Sequence, residues 1–119
     1  MLAESSLLGE TPMELRHYLT STGRNPFQEW LDALRDAAGR IAILRRLDRV
    51  SGGHFGDCRS CHDGVWELRI DCGPGYRVYY AIESATAVLL LFGGSKRGQR
   101  ADIDTAVRYW RDYRRRRRS

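Results

Sequence analysis

The chain's 119 residues, 42% of them hydrophobic, suit one folded domain that needs no disulfide or metal staple, and they exclude a disordered chain. No apolar run approaches the roughly 20 residues of a membrane span, and the opening through Glu14, acidic and without an early Lys or Arg, is not a secretory signal, so a cytoplasmic protein is expected. The net charge of +5 is matched by the five consecutive arginines at 114–118, without which the chain is neutral.

Residues 1–9 read as a frayed leader. Residues 13–20 (MELRHYLT) alternate as a first strand, and residues 21–25 (STGRN) are turn chemistry. Asn25 followed by Pro26 starts a helix, with Phe27, Trp30, Leu31 and Leu34 on one face. A break near Ala38-Gly39 separates a second helix, striped by Ile41, Ile43, Leu44, Leu47 and Val50 and flanked by Arg40, Arg45, Arg46 and Arg49. The two form a helical hairpin. Residues 51–63 are polar and read as a loop. Residues 65–71 (VWELRID) and 76–82 (YRVYYAI) are strands around the turn Gly73-Pro74-Gly75. Residues 87–92 (AVLLLF) form a central strand buried on both faces, ended by Gly93-Gly94-Ser95. Residues 102–113 form a last helix with Ile103, Ala106, Val107 and Trp110 at core spacing.

The order β-α-α-β-β-β-α predicts an α+β fold: a small antiparallel sheet with the helical hairpin on one face, the other face left open, and a C-terminal helix. Residues 1–113 make one domain, and residues 114–119 a basic tail.

Four segments carry a resemblance: NPFQEWL at 25–31, GGHFGD at 52–57, ELRIDCGPGYRVYY at 67–80, and LLLFGGSKRGQRADIDTAVRYWRDY at 89–113. Over residues 13–113 the chain resembles the RelE/ParE toxin superfamily, in its HigB-like branch of addiction-module killer proteins from type II toxin–antitoxin systems. The resemblance implies a RelE-like fold and a toxin neutralised by a cognate antitoxin, expected to be of helix-turn-helix type. For RelE-like and HigB-like members it implies ribosome-dependent cleavage of mRNA; ParE-like members instead inhibit DNA gyrase. An RNA-binding module that does not cleave is the third reading.

Strand alternation places Glu67 and Arg69 on one face and Trp66, Leu68 and Ile70 on the other; likewise Arg77 and Tyr79 stand opposite Val78 and Tyr80. The polar set is expected on the open side of the sheet, with Lys96 beside it. Cleavage by a neighbouring 2′-OH needs no metal. It needs a base, an acid, and cations for the charge that builds on the phosphate. Arg77 is the expected phosphate clamp, supported by Arg69 and Lys96; the resemblance matches Arg77 and Arg69 to family arginines. Tyr79 is a candidate to stack a base or donate a proton. His54, Glu67 and Lys96 are the acid–base candidates, because the chain has no histidine after His62, where several relatives use one near the chain end. Arg97, Arg100, Arg114, Arg115 and Arg116 are expected to bind RNA phosphates.

The string Cys58-Arg59-Ser60-Cys61-His62 formally reads as a c-type haem attachment site, set aside because attachment requires export. Zinc on Cys58, Cys61, His62 and Cys72 is chemically reasonable, but a lone C-x-x-C lacks the second pair. Free thiols, open to a reversible Cys58–Cys61 disulfide, are expected, with no metal and no cofactor.

Overall fold

In a computed structural model, residues 11–118 are described; the leader expected at residues 1–9 lies outside them. The chain runs through β1 (Glu14–His17), α1 (Pro26–Ala33), α2 (Ala37–Ser51), β2 (Cys58–Ser60), β3 (Val65–Ile70), β4 (Tyr76–Ser84), β5 (Ala87–Ser95), a 3-10 turn (Lys96–Gly98) and α3 (Gln99–Arg118). This is the expected α+β architecture, with a short strand, β2, added inside the expected loop.

Local chemistry accounts for the helix ends. Asn25 accepts a hydrogen bond from the Gln28 amide at 3.1 Å, and Pro26 opens the first turn of α1. The break between helices falls before Asp36, not at Ala38-Gly39. Asp36 caps α2 by accepting from the Gly39 amide at 2.9 Å. Gly39 is helical and lets Tyr76 approach: a Cβ there would lie 2.6 Å from the tyrosine ring.

The five strands form one sheet in the order β1-β5-β4-β3-β2. The sheet is mixed rather than wholly antiparallel. Strands β2 to β5 pair antiparallel, and the three returns bring β5 back beside β1, running in the same direction. On one face, Phe27 and Leu31 of α1 and Ile43, Leu47 and Val50 of α2 pack on Leu68, Val78, Tyr80, Val88 and Leu90. The opposite face is not open. Ala106 and Val107 of α3 close over Tyr18, Val65, Tyr79, Ala81, Leu89 and Leu91. β5 is thus buried on both faces, as its unbroken apolar run predicts.

Gly93 and Gly94 do not end β5; they continue it. Their missing side chains admit a helix on each side. A Cβ on Gly93 would meet the Trp30 ring of α1 at 2.2 Å, and one on Gly94 would meet Asp102 Oδ2 of α3 at 1.9 Å. The last helix starts earlier than expected, at Gln99, and continues unbroken to Arg118. The arginine run therefore forms its last turns.

Candidate functional site

At one end of the sheet, Arg69, Arg77 and Lys96 line a cleft of about 380 Å³ with Asp57, Asp71 and the turn Gly73-Pro74-Gly75. Arg69 and Arg77 are direct partners across the β3–β4 ladder, so strand register alone brings them together. The turn joins them to Lys96. Gly75 has φ +82°, a left-handed conformation that a side chain disfavours, and its carbonyl accepts from the Lys96 amide at 2.8 Å.

The cleft's far wall is held by Arg46. Its guanidinium is buried at the base of the loop after α2 and donates to three carbonyls: Phe55 at 3.0 Å, Arg69 at 2.7 Å and Asp57 at 2.5 Å. The Asp57 carbonyl also accepts from the Arg69 amide at 2.9 Å. Asp57 is thereby presented to the cleft, its carboxylate 3.9 Å from Arg69 Nε. Burial pulls the Arg46 pKa below the usual arginine value.

Arg77 and Glu67 form a buried pair beneath the cleft, with 7% and 1% of their side chains exposed and Nε 3.6 Å from Oε2. At that length the contact is an ion pair without a hydrogen bond, and Nε has no hydrogen-bond partner. Arg77 Nη1 donates to the Tyr76 carbonyl at 3.1 Å. Glu67 takes its hydrogen bonds from Gln99, in the first turn of α3, at 2.8 and 3.2 Å, and from the Cys61 thiol at 3.7 Å. Burial and the Glu67 charge push the Cys61 thiol up to about 11.

The expectation that Glu67 and Tyr79 stand on an open face is corrected by α3, which seals both. Face assignment by alternation is right; what covers that face is different. Tyr79 is fully buried, its hydroxyl has no hydrogen-bond partner, and burial raises its pKa far above the ordinary tyrosine value. His54 is exposed in the loop after α2, its amide donating to the Arg49 carbonyl at 2.9 Å, and it does not line the cleft. Arg97 is exposed in the 3-10 turn, and Arg100 lines a separate depression with His62, Gln99, Ile103 and Asp104. Arg114, Arg115 and Arg116 lie at the other end of α3.

The three cysteines are free thiols. Cys58 packs against the core under α1 and α2, whereas Cys61 reaches Glu67 on the α3 side. A three-residue step along this extended segment sends the two thiols to opposite faces, so they do not converge. Among the described residues, no group of three His, Cys, Asp or Glu side chains is placed to hold a metal, and no helix is long and apolar enough to cross a membrane.

Asp57, Arg46 and Gln99 were not singled out by sequence reasoning. Asp71 had a signal, since it shares the Glu67–Arg69 face by alternation. Arg46 had none: it sits among four arginines of one helix, and only the fold turns it inward.

Two comparisons bear on this site. The model of the family described as Phage derived protein Gp49-like (DUF891) matches residues 29–110. An uncharacterized protein of Haemophilus influenzae is 44% identical over 80 residues, covering 67% of this chain and 81% of its own length.

Proposed function

Because the chain belongs to the phage-derived Gp49-like family, a RelE-like family associated with toxin–antitoxin systems, we propose that it is a toxin that cleaves mRNA on the ribosome, blocks translation and is neutralised by a cognate antitoxin. The observation that carries this reading is the gathering of Arg69, Arg77 and Lys96 around one cleft. Three cations there can bind an RNA phosphate and stabilise the charge that builds on it when the neighbouring 2′-OH attacks. Arg69 can offer its planar fork to the phosphate oxygens. Arg77 is held from below by Glu67, which acts as a positioning residue. Asp57 and Asp71 are the carboxylates within the cleft able to take the hydroxyl proton, and Lys96 can donate to the leaving oxygen. An antitoxin segment with acidic side chains would cover the same cations and exclude RNA.

The test is cell-free bacterial translation with mRNA ends mapped. Arg77→Ala is a poor probe, because it strands Glu67 in the core. Arg69→Ala and Lys96→Ala change groups on the cleft wall. Wild type is expected to cut mRNA only on translating ribosomes, and each variant to cut at least tenfold more slowly, the scale of a lost electrostatic contact to the transition state. Intact mRNA together with failed gyrase supercoiling would replace this reading with a gyrase inhibitor.

A further inference from the structure

Helix α3 has a second basic region. Arg100, Arg108, Arg111, Arg115 and Arg118 are all exposed, and at about 100° per residue they fall within about a quarter of the helix circumference. The only other residue in that strip is Asp104; Arg114 flanks it. From Arg100 to Arg118 the strip runs about 27 Å at 1.5 Å per residue, starting one turn beyond Lys96. Arg111, Arg114, Arg115 and Arg118 line a shared depression of about 200 Å³.

The strip is not what fastens α3 to the sheet. Tyr18 donates to Asp112 at 2.6 Å, Arg116 pairs with Asp112 at 2.7 Å and lies over the Tyr18 ring, and Arg117 pairs with Glu83 and lies over Tyr113. The arginine run thus divides. Arg116 and Arg117 turn to the body, while Arg114, Arg115 and Arg118 join Arg111 on the outside. In the outward set Arg111 pairs with Asp63 at 2.9 Å, Arg115 shares Asp112 at 2.6 Å, and Arg114 lies over Trp110. A helix C-terminus favours positive charge, but arginines one turn apart also repel each other. Polyanion binding relieves that repulsion.

We propose that this strip is a docking track for the phosphate backbone of duplex RNA. Charge complementarity and continuity with the cleft carry the proposal, which takes RNA as the polyanion from the cleft reading. The arginine fork suits phosphate. The strip has no Asn or Gln to read a base edge, and the rings beside it, Trp110 and Tyr113, are already covered by Arg114 and Arg117, so it fits a backbone rather than a single strand. The far end of the strip, Arg111, Arg114, Arg115 and Arg118, lies beyond residue 110, where the family match ends, and none of these four arginines lines the cleft.

The test uses the full-length chain and a 2′-O-methylated RNA duplex, which cannot be cleaved through its ribose hydroxyls, with affinity measured across a salt series. Arg111, Arg114, Arg115 and Arg118 are changed together to Gln, which keeps helix propensity; Arg116→Gln/Arg117→Gln is the control, and circular dichroism verifies folding of both. The fourfold variant is expected to lose at least tenfold in affinity at physiological salt and about 3 units of salt slope, at roughly 0.7–0.9 per phosphate contact, while the control changes less than about threefold. Unchanged affinity and slope, or an equal loss in the control, would each overturn the proposal. Cleavage need not enter: a track that binds while translation extracts show no cutting sinks the cleft reading and leaves this one standing.

Discussion

Strand β3 sends Trp66, Leu68 and Ile70 to one side of the sheet and Val65, Glu67 and Arg69 to the other, and the two sides are packed by different chemistry. Under α1 and α2 the core is apolar but for the Tyr76 and Tyr80 hydroxyls and, at its margin, the Arg46 guanidinium, which backbone carbonyls satisfy. Under α3 it contains a carboxylate, a guanidinium, a tyrosine hydroxyl and an amide. Apolar packing holds the first side without needing particular partners. The second side depends on pairing, and the cleft residues are its outer margin. Glu67, which supports Arg77, is sealed by the same helix whose preceding turn supplies Lys96.

The sharpest way to break this comparison is to remove one charge from the buried pair. Glu67→Ala leaves the Arg77 guanidinium without its counter-ion, and an expected loss of about 3–5 kcal/mol follows from an uncompensated buried charge. On the other face, Leu68→Ala is expected to cost about 2–5 kcal/mol through lost burial and the cavity left behind. The two losses overlap in size, so a second substitution separates them. Adding Arg77→Met to Glu67→Gln removes both charges and is expected to regain most of the stability in urea unfolding, whereas no partner change rescues Leu68→Ala. If Glu67→Ala alone costs under about 1 kcal/mol, the α3 side is not governed by charge pairing.

The glycines of β5 test the same contrast through shape. Gly93→Ala drives a methyl group into the Trp30 ring, which is held between α1 and the sheet, and overpacking of that kind costs about 1–3 kcal/mol. Gly94→Ala meets the end of the Asp102 side chain, which can swing aside, so a loss below about 1 kcal/mol is expected. Thermal unfolding of the two variants side by side checks the order. A larger loss at Gly94 would show that Asp102 is as fixed as the indole.

These glycines also mark where sequence reading stops. Both look like punctuation, because a glycine pair ends more strands than it continues, and nothing in the local sequence names the helices that lean on them. The hairpin was legible because alternation is local: Arg69 opposite Arg77, with Leu68 and Val78 turned the other way, needs only register. The capped helix start at Asn25-Pro26 was legible for the same reason. The cover over Glu67 and Tyr79 was not, since it depends on where a helix more than 20 residues downstream comes to rest. The mixed sheet was hidden likewise, because β1 finds its partner only after every other strand is placed. Of the cleft, the cations were readable from charge and alternation. Asp57 was not, because its position depends on Arg46 gripping a loop from behind.

The smallest expected effect is a pH signature of opposite sign on the two faces. On the α1 and α2 side, the Gly39 amide and the Tyr76 hydroxyl, the latter at 2.7 Å, hold the Asp36 carboxyl below the usual carboxylate range. Its folded state therefore prefers the ionised form. The resulting stability is present above about pH 4, the unfolded value, and is lost as pH falls through the lower folded value. On the α3 side, burial raises the Asp102 pKa. Its folded state holds the proton more tightly, so the stability it contributes is present below about pH 4 and is lost as pH rises through the raised folded value. Asparagine at 36 keeps the cap and removes the titration, so Asp36→Asn is expected to flatten the acid side of a stability–pH curve. Asp102→Asn is expected to leave stability near pH 3 unchanged and to raise it at pH 7. Urea unfolding of both variants from pH 3 to 7 separates the faces: the Asp36→Asn difference from wild type shrinks at the acid end, while the Asp102→Asn difference grows toward neutrality. Two curves bending the same way would mean that α3 leaves Asp102 as well solvated as a surface carboxylate, and that the buried charge of this face ends at Glu67.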